Sequence, residues 1–289
     1  MFIKTGYFMN IKVTILISLV SFALNAQNFS GKAIYKTSRK STISFDNEKN
    51  PGMSDEMQKQ IQARIQKMNQ KTFILNFDQK TSTYKEDVQL DAPNPKGGGA
   101  GLMVMSLGGS GNGSIYFKNI NEKRFVNQTE IMGKRFLVKD SLPNYQWNLS
   151  TETKNIGNYT CYKATFTRTV EDIQMVFEDG ESKENKIKKT VTTTAWYTPQ
   201  VPVSNGPDNY QGLPGLILEI NDGERLIVCT EIVLNPSEKI EVKAPEKGEI
   251  VSQAAYDKIQ EEKTQELMER FKSRNGVNMG GGINIKIGG

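Results

Sequence analysis

Short runs in which apolar and polar residues alternate dominate the chain, and they predict strands. Asn28 to Lys36 (NFSGKAIYK) is the first. Lys71 to Phe77 and Thr81 to Glu86, joined at Asp78-Gln79-Lys80, predict a hairpin. Ser114 to Ile120, Lys123 to Ile131 and Arg135 to Lys139 follow, the last two joined by Met132-Gly133-Lys134. Tyr159 to Val170 sets Tyr162, Ala164 and Phe166 on one face. Gln174 to Phe177 and Lys189 to Tyr197 flank a polar stretch, EDGESKENKIK, that reads as a loop. Leu216 to Ile220 and Glu224 to Leu234 close the series around Asn221-Asp222-Gly223. About ten short strands with turn signals between them predict a mainly β fold: an antiparallel curled sheet, open barrel or sandwich.

Two segments change the period. Ser54 to Gln70 carries Met57, Ile61, Ile65 and Met68 at helical spacing, with Ser54 as cap, and predicts a helix covering the sheet. Ser252 to Arg274 predicts a second helix, with Tyr256, Ile259, Leu267 and Phe271 on one side. Two Gly-rich segments, Gly97 to Gly113 and Gly280 to Gly289, lack the strand, helix and Lys of a phosphate loop and read as flexible connections. The expected organisation is a leader over residues 1–26, one β-rich domain over 27–235 and a C-terminal helix with a Gly-rich tail over 236–289.

The leader follows from the first residues. Lys4 and Lys12 precede the uncharged apolar run Val13 to Leu24, and Ala26 offers a small residue for cleavage. That is the pattern of a secretory signal peptide, too short for a typical membrane span. No Cys follows the expected cut before Gln27, so the pattern is not that of a lipoprotein. The expected location is the periplasm or the periphery of an outer membrane.

The net charge of +5 falls by two once Lys4 and Lys12 are removed. That balance, without a basic aromatic-interleaved stripe, gives no support for a nucleic-acid partner. There is no His, which excludes Ser-His and Cys-His dyads and His-based zinc sites. No metal or cofactor is implied. The two Cys, Cys161 and Cys229, are a candidate disulfide or two separate buried thiols. Carboxylate chemistry stays open through Asp208, Glu219, Glu152 and Asp140, although Asp208 reads as a turn residue and Glu219 as a strand partner of Arg225.

The stretch GPDNYQGLPGLILEIN, Gly206 to Asn221, is the most individual part of the chain. Leu213-Pro214-Gly215-Leu216 fits a type II turn, with positive φ at Gly215, feeding a strand from Leu216. In the hairpin that follows, a three-residue loop sets Glu219 against Arg225, and a two-residue loop on Asp222-Gly223 shifts the register by one. Trp196, Tyr197 and Tyr210 are the candidate binding residues, as amphipathic aromatics around this corner.

Gly212-Leu213-Pro214-Gly215-Leu216-Ile217, with AWYTPQVPVSNGPDNYQ before it and Trp147 and ETKNIGNYTCYKAT further upstream, closely resembles the GLPGLI family of Bacteroidota. The likeness runs roughly from Gly31 to Leu234. It implies an exported protein of unknown biochemical activity, without established catalytic residues, in a family whose members often accompany outer-membrane receptors. The expected function is a non-enzymatic binding or accessory module for an outer-membrane protein, peptide or apolar ligand. A carboxylate-dependent hydrolase and a purely structural envelope component are the alternatives.

Overall fold

The computed structural model describes residues 29–39, 43–45, 69–88, 113–178, 181–238, 240–274 and 283–285, with isolated positions between 56 and 63. Its strands are β1 (Ser30–Arg39), β2 (Ile43–Phe45), β3 (Gln70–Asp78), β4 (Thr81–Glu86), β5 (Ile115–Asn119), β6 (Arg124–Ile131) and β7 (Lys134–Ser141). β8 (Asn148–Ile156), β9 (Tyr159–Glu178), β10 (Glu181–Thr198), β11 (Leu216–Asn221), β12 (Arg225–Leu234), β13 (Glu249–Val251) and β14 (Ile283–Ile285) follow, with helix α1 (Gln253–Arg274) between the last two. Twelve strands form one open sheet in the order β13-β7-β6-β5-β4-β3-β1-β12-β11-β10-β9-β8, and β14 pairs separately with β2. The chain is thus the mainly β, open curled sheet with a C-terminal helix that its pattern predicts.

Two bulges bend the centre of the sheet. Leu218 is the extra residue of β11 opposite the Trp196–Tyr197 step of β10. Thr230 is the extra residue of β12 opposite the Ile34–Tyr35 step of β1. A bulge bends its strand and increases the local twist, so two on adjacent strands curl the sheet around its inner face. That face carries Ala33, Tyr35, Leu75, Phe77, Tyr84, Ala164, Ala195, Ile220 and Ile227 in the largest buried cluster. At the β6–β7 end a smaller cluster of Phe125, Ile131, Phe136 and Val138 is covered by Tyr256 of α1. The opposite face there, with Phe117, Val126 and Leu137, packs against Val242 and Ala244.

Several expected boundaries move. The polar stretch predicted as a loop is mostly strand: β9 runs to Glu178 and β10 starts at Glu181, in register through Asp172↔Ile187. What makes it strand is backbone pairing between β9 and β10. Edge strand β8 has no apolar alternation and was absent from the expected set. Of the expected helix 54–70, Glu56, Lys59, Gln60 and Ala63 are helical, and Met57, Ile61, Ile65 and Met68 lie outside the described residues. Its far end is corrected, since Gln70 already pairs with Ser38 in β3. The Gly-rich segment 97–113 lies outside the described residues apart from Gly113, as does 280–289 apart from β14. α1 begins one residue after its expected start, because Ser252 caps it: Ser252 Oγ accepts from Ala255 N–H at 3.2 Å, and Asp140 Oδ2 from Gln253 N–H at 3.1 Å.

Candidate functional site

Between β10 and β11 the chain does not turn tightly. It dives as an irregular loop, 199–215, into the inner face, where Val201, Val203, Tyr210 and Leu213 are all buried. Proline explains part of this: Pro199, Pro202, Pro207 and Pro214 lack N–H groups, so none of them can leave an unpaired donor inside. The carbonyls remain, and a buried carbonyl needs a donor.

Lys118 supplies three. It belongs to β5, on the same side as Tyr116, and is fully buried. Its Nζ donates to the carbonyls of Gly206 at 2.6 Å, Asp208 at 2.7 Å and Tyr210 at 3.1 Å. Three acceptors match the three donors of an ammonium group. Burial pushes the Lys118 amine down to about 7, and the Asp208 charge acts in the opposite direction. Next to it, Ser82 Oγ donates to Asn205 Oδ1 at 3.2 Å, and the same oxygen takes the Gly206 N–H at 2.9 Å. Tyr35 OH donates to the Ile217 carbonyl at 2.7 Å. Trp147 Nε1 donates to the Gln211 carbonyl at 2.9 Å, fixing the far side of the loop.

The loop tip is Asp208, held at φ 52, in the left-handed region that Asp tolerates better than most residues. Its Oδ2 takes Arg225 Nη1 at 2.9 Å, and Arg225 Nη2 donates to Tyr210 OH at 3.3 Å. Four tyrosines lie in the field of this carboxylate: Tyr84, Tyr116, Tyr145 and Tyr210. Burial raises all four phenols above their ordinary range, and Asp208 adds to the rise. Arg225 is held charged, Asp208 and Tyr210 outweighing its burial. Among the described residues, Tyr84 OH and Asn209 Oδ1 are buried oxygens without a hydrogen-bond partner.

The aromatics singled out in the sequence do not converge. Tyr210 is a core residue stacked on Tyr145, with ring centroids 5.5 Å apart. Tyr197 is buried on the inner face beside Tyr162. Trp196 faces the other way, opposite Glu219 and Lys163, with Lys154 Nζ 4.5 Å above its ring. Gly212 (φ 95) lies against Trp147, and a Cβ there would be 3.7 Å from its Nε1. Leu213, Leu216 and Ile217 are buried. The turn at Pro214 is tighter than the expected type II turn: Gly215 N–H donates to the Leu213 carbonyl at 2.8 Å, two residues back. Gly215 has φ 154, and a Cβ there would sit 2.2 Å from the Thr198 carbonyl oxygen.

The β11–β12 hairpin takes neither expected register. Asn221 opposes Leu226, and Glu219 opposes Val228. Asp222 sets this, because its Oδ1 accepts the N–H groups of Glu224 and Arg225 and moves the turn onto Gly223-Glu224. Glu219 therefore pairs with Lys154 at 2.7 Å, and Arg225 is free to reach Asp208. The Cys161–Cys229 bridge is absent. Both are free buried thiols, and β10 and β11 lie between their strands. Burial pushes Cys161 up to about 11 and Cys229 to about 12. Among the described residues no group of three or more Cys, Asp or Glu is placed to hold a metal, and no helix is long and apolar enough to cross a membrane.

Lys118 was missed in the sequence, although a signal exists. In SIYFKNI the period of two puts Lys118 on the side of Tyr116, so a basic residue interrupts an otherwise inward-facing series.

Residues 147–219, which hold Trp147, Cys161 and the whole loop, match the model of a family described as "Protein of unknown function (Porph_ging)". No curated protein sequence matches the chain. Among solved structures, PNGF-II in the C2 space group shares 11% identity at a TM-score of 0.47, covering 82% of this chain and 33% of that one. The P21 form gives 12% identity and a TM-score of 0.46. LprF from Mycobacterium bovis shares 10% identity at a TM-score of 0.24, over 78% of this chain and 93% of that one. This chain thus spans about a third of the PNGF-II chain. At these scores the likenesses carry no functional argument.

Proposed function

We propose that this chain is an exported envelope protein of the GLPGLI type that works as a non-enzymatic binding or accessory module, with an outer-membrane protein, a peptide or an apolar ligand as its partner. The Lys4–Ala26 leader pattern supports export, and the family match at 147–219 contains the Gly212–Ile217 string. The observation that carries the non-catalytic part is the placement of the carboxylates. Asp208 is matched by Arg225 at 2.9 Å on the loop tip. Glu219 is matched by Lys154 at 2.7 Å and pairs with Trp196 across β11 and β10. Glu152 pairs with Lys163 at 3.0 Å, and Asp140 caps α1. Each has a separate structural partner, and they do not form the convergent acid–base pair that hydrolysis needs.

The test is capture of the tagged mature chain from envelope extracts. One outer-membrane protein recovered in stoichiometric amount is the expected result. Recovery of peptidoglycan or bulk envelope material alone would point to a purely structural component. Turnover of a glycoside or peptide that survives Asp208→Asn but not Glu219→Gln would overturn the non-enzymatic reading. Export is checked separately: the intact mass of the secreted chain should correspond to a start at Gln27, and retention of Met1 or Met9 would refute it.

A further inference from the structure

β9 and β10 outrun the sheet to which they belong. Their pairing is unbroken from Tyr162↔Tyr197 to Glu178↔Glu181. β8 leaves the outer edge of β9 at Thr165, and β11 leaves the outer edge of β10 at Thr194. Beyond those points residues 166–178 and 181–193 pair, among the described residues, only with each other. At the usual rise per residue this is a two-stranded ribbon about 40 Å long. Such a ribbon is marginally stable in water, and each outer edge offers a row of unpaired N–H and C=O groups to which another strand can add. The two edges differ in their surroundings. β14 lies against β9, whereas on β10 Ile187, Lys188 and Thr190 are exposed.

We infer that the free edge of β10 pairs with the same edge of a second copy of this chain, antiparallel about a two-fold axis at Asn185, so that two ribbons become one four-stranded sheet. Charge complementarity selects both the occupant and the register. A two-fold axis through a sheet keeps every residue on its own face, and directly opposed residues share a face. The axis must therefore pass through a residue and not between two. Centred on Asn185, Glu184 stands opposite Lys186 and Glu181 opposite Lys189, each twice by symmetry, and no like charges are opposed. The neighbouring registers fail. Lys183, Glu184 or Lys186 as the centre opposes a like charge at the axis itself, and Ile187 as the centre opposes Lys186 to Lys188. The length fits as well. The second copy's β10 starts opposite Lys189, short of Thr194, where β11 takes over the edge. Lys189 also holds Glu224 of its own hairpin at 2.9 Å, and an ammonium group has donors for both carboxylates. The backbone bonds supply affinity, and the Glu–Lys oppositions fix the register. The contact is isologous, so it closes at two copies. It concerns the ribbon alone and stands whether or not the chain captures an envelope partner.

Sedimentation of the full mature chain over a concentration series should show a reversible monomer–dimer equilibrium that weakens with salt. Glu184→Lys and Lys186→Glu each set like charges opposite one another, twice per dimer. Each should weaken dimerisation about tenfold or more while the circular dichroism of the monomer stays unchanged. Mixed in equal amounts, the two variants should dimerise again as wild type does, because each copy then supplies the charge that the other needs. Asn185→Cys lies on the axis and should form a disulfide between copies on oxidation. Gln174→Cys, paired with Asn185 on the far strand of the same ribbon, should not. A chain that stays monomeric at every concentration overturns the inference, and the β10 lysines then serve only to guard the edge. A dimer that both charge variants leave intact, a mixture of the two that stays monomeric, or cross-linking through Gln174→Cys in place of Asn185→Cys overturns it too, by moving the contact elsewhere.

Discussion

The two ends of the sheet are covered in opposite ways. Over β1, β4 and β5 the cover is an irregular loop, and over β6 and β7 it is a helix. A helix satisfies its own backbone, so it needs only apolar contacts to dock. α1 accordingly uses Tyr256, packed edge-on to Phe136 with ring centroids 5.7 Å apart and sharing one hydrogen bond with Thr129. A loop brings bare carbonyls into the core, and each needs a donor. That is why the loop end carries a buried Lys, a buried Ser and a Tyr–carbonyl bond, and the helix end does not. Apolar surface is buried at both ends, but the loop end is held by several buried directional bonds, whereas the helix end has the Thr129–Tyr256 bond and the Asp140 cap. Directional bonds position groups, so the loop end holds Asp208 and Arg225 in a fixed geometry.

This contrast can be tested in descending order of effect. Gly215→Val should be the most damaging change, costing more than about 4 kcal/mol, because its Cβ would overlap backbone that cannot move aside. A normal melting temperature in that variant would refute the loop as a rigid structural corner. Lys118→Met should cost about 3 kcal/mol, since it orphans three buried carbonyls while keeping the stem volume. It should also remove a pH dependence. The unfolded chain keeps this proton up to the ordinary Lys range, whereas the folded chain releases it at about 7. Wild-type stability measured by urea unfolding should therefore rise with pH from about 7 toward the ordinary Lys value, offset in part by the carbonyl that the neutral amine leaves unmatched, and the Met variant should lack this dependence.

Tyr256→Ala should cost about 2 kcal/mol, and the loss should be local. Hydrogen exchange should show α1 opening while the protection of β1, β11 and β12 stays intact. Loss of protection throughout the sheet would mean that the two ends are one cooperative unit and that the comparison fails. Asp208→Asn is expected to have the smallest effect, about 1 kcal/mol or less, because its pair with Arg225 is about a third exposed at each side chain.

Most of the strands were legible as short β-branched and aromatic runs between turn residues: the first half of β9 alternates, and β3, β4, β6 and β12 stand out by composition and their flanking turns. Those that were not have other sources of order. β8 is an exposed edge whose only claim to be a strand is its pairing with β9. The outer half of β10 is polar in sequence and is a strand through its pairing with β9. The site was less legible than the sheet. Trp196, Tyr197 and Tyr210 are conspicuous as side chains, but a bulge at Leu218 and a buried loop send them to different surroundings. Arg225 was seen but given the wrong partner, since the hairpin register depends on side-chain bonds from Asp222 that no apolar pattern encodes. Lys118 gains its meaning only from carbonyls nearly ninety residues away in the chain.

The two unbridged thiols turn the sheet into its own clock. With Cys161 at about 11 and Cys229 at about 12, the reactive thiolate at neutral pH amounts to a fraction on the order of one in ten thousand or less. Closed, the protein should be nearly inert to alkylating reagents and slow to oxidise even where the surroundings favour disulfides. Each labelling event then records a moment when a strand has left its neighbours. Cys161 sits on β9 next to the edge strand and Cys229 on β12 in the middle of the sheet, so the two should keep different time. Their labelling rates, read separately by mass spectrometry, would report how far fraying from the β8 edge travels inward before the rest of the sheet lets go.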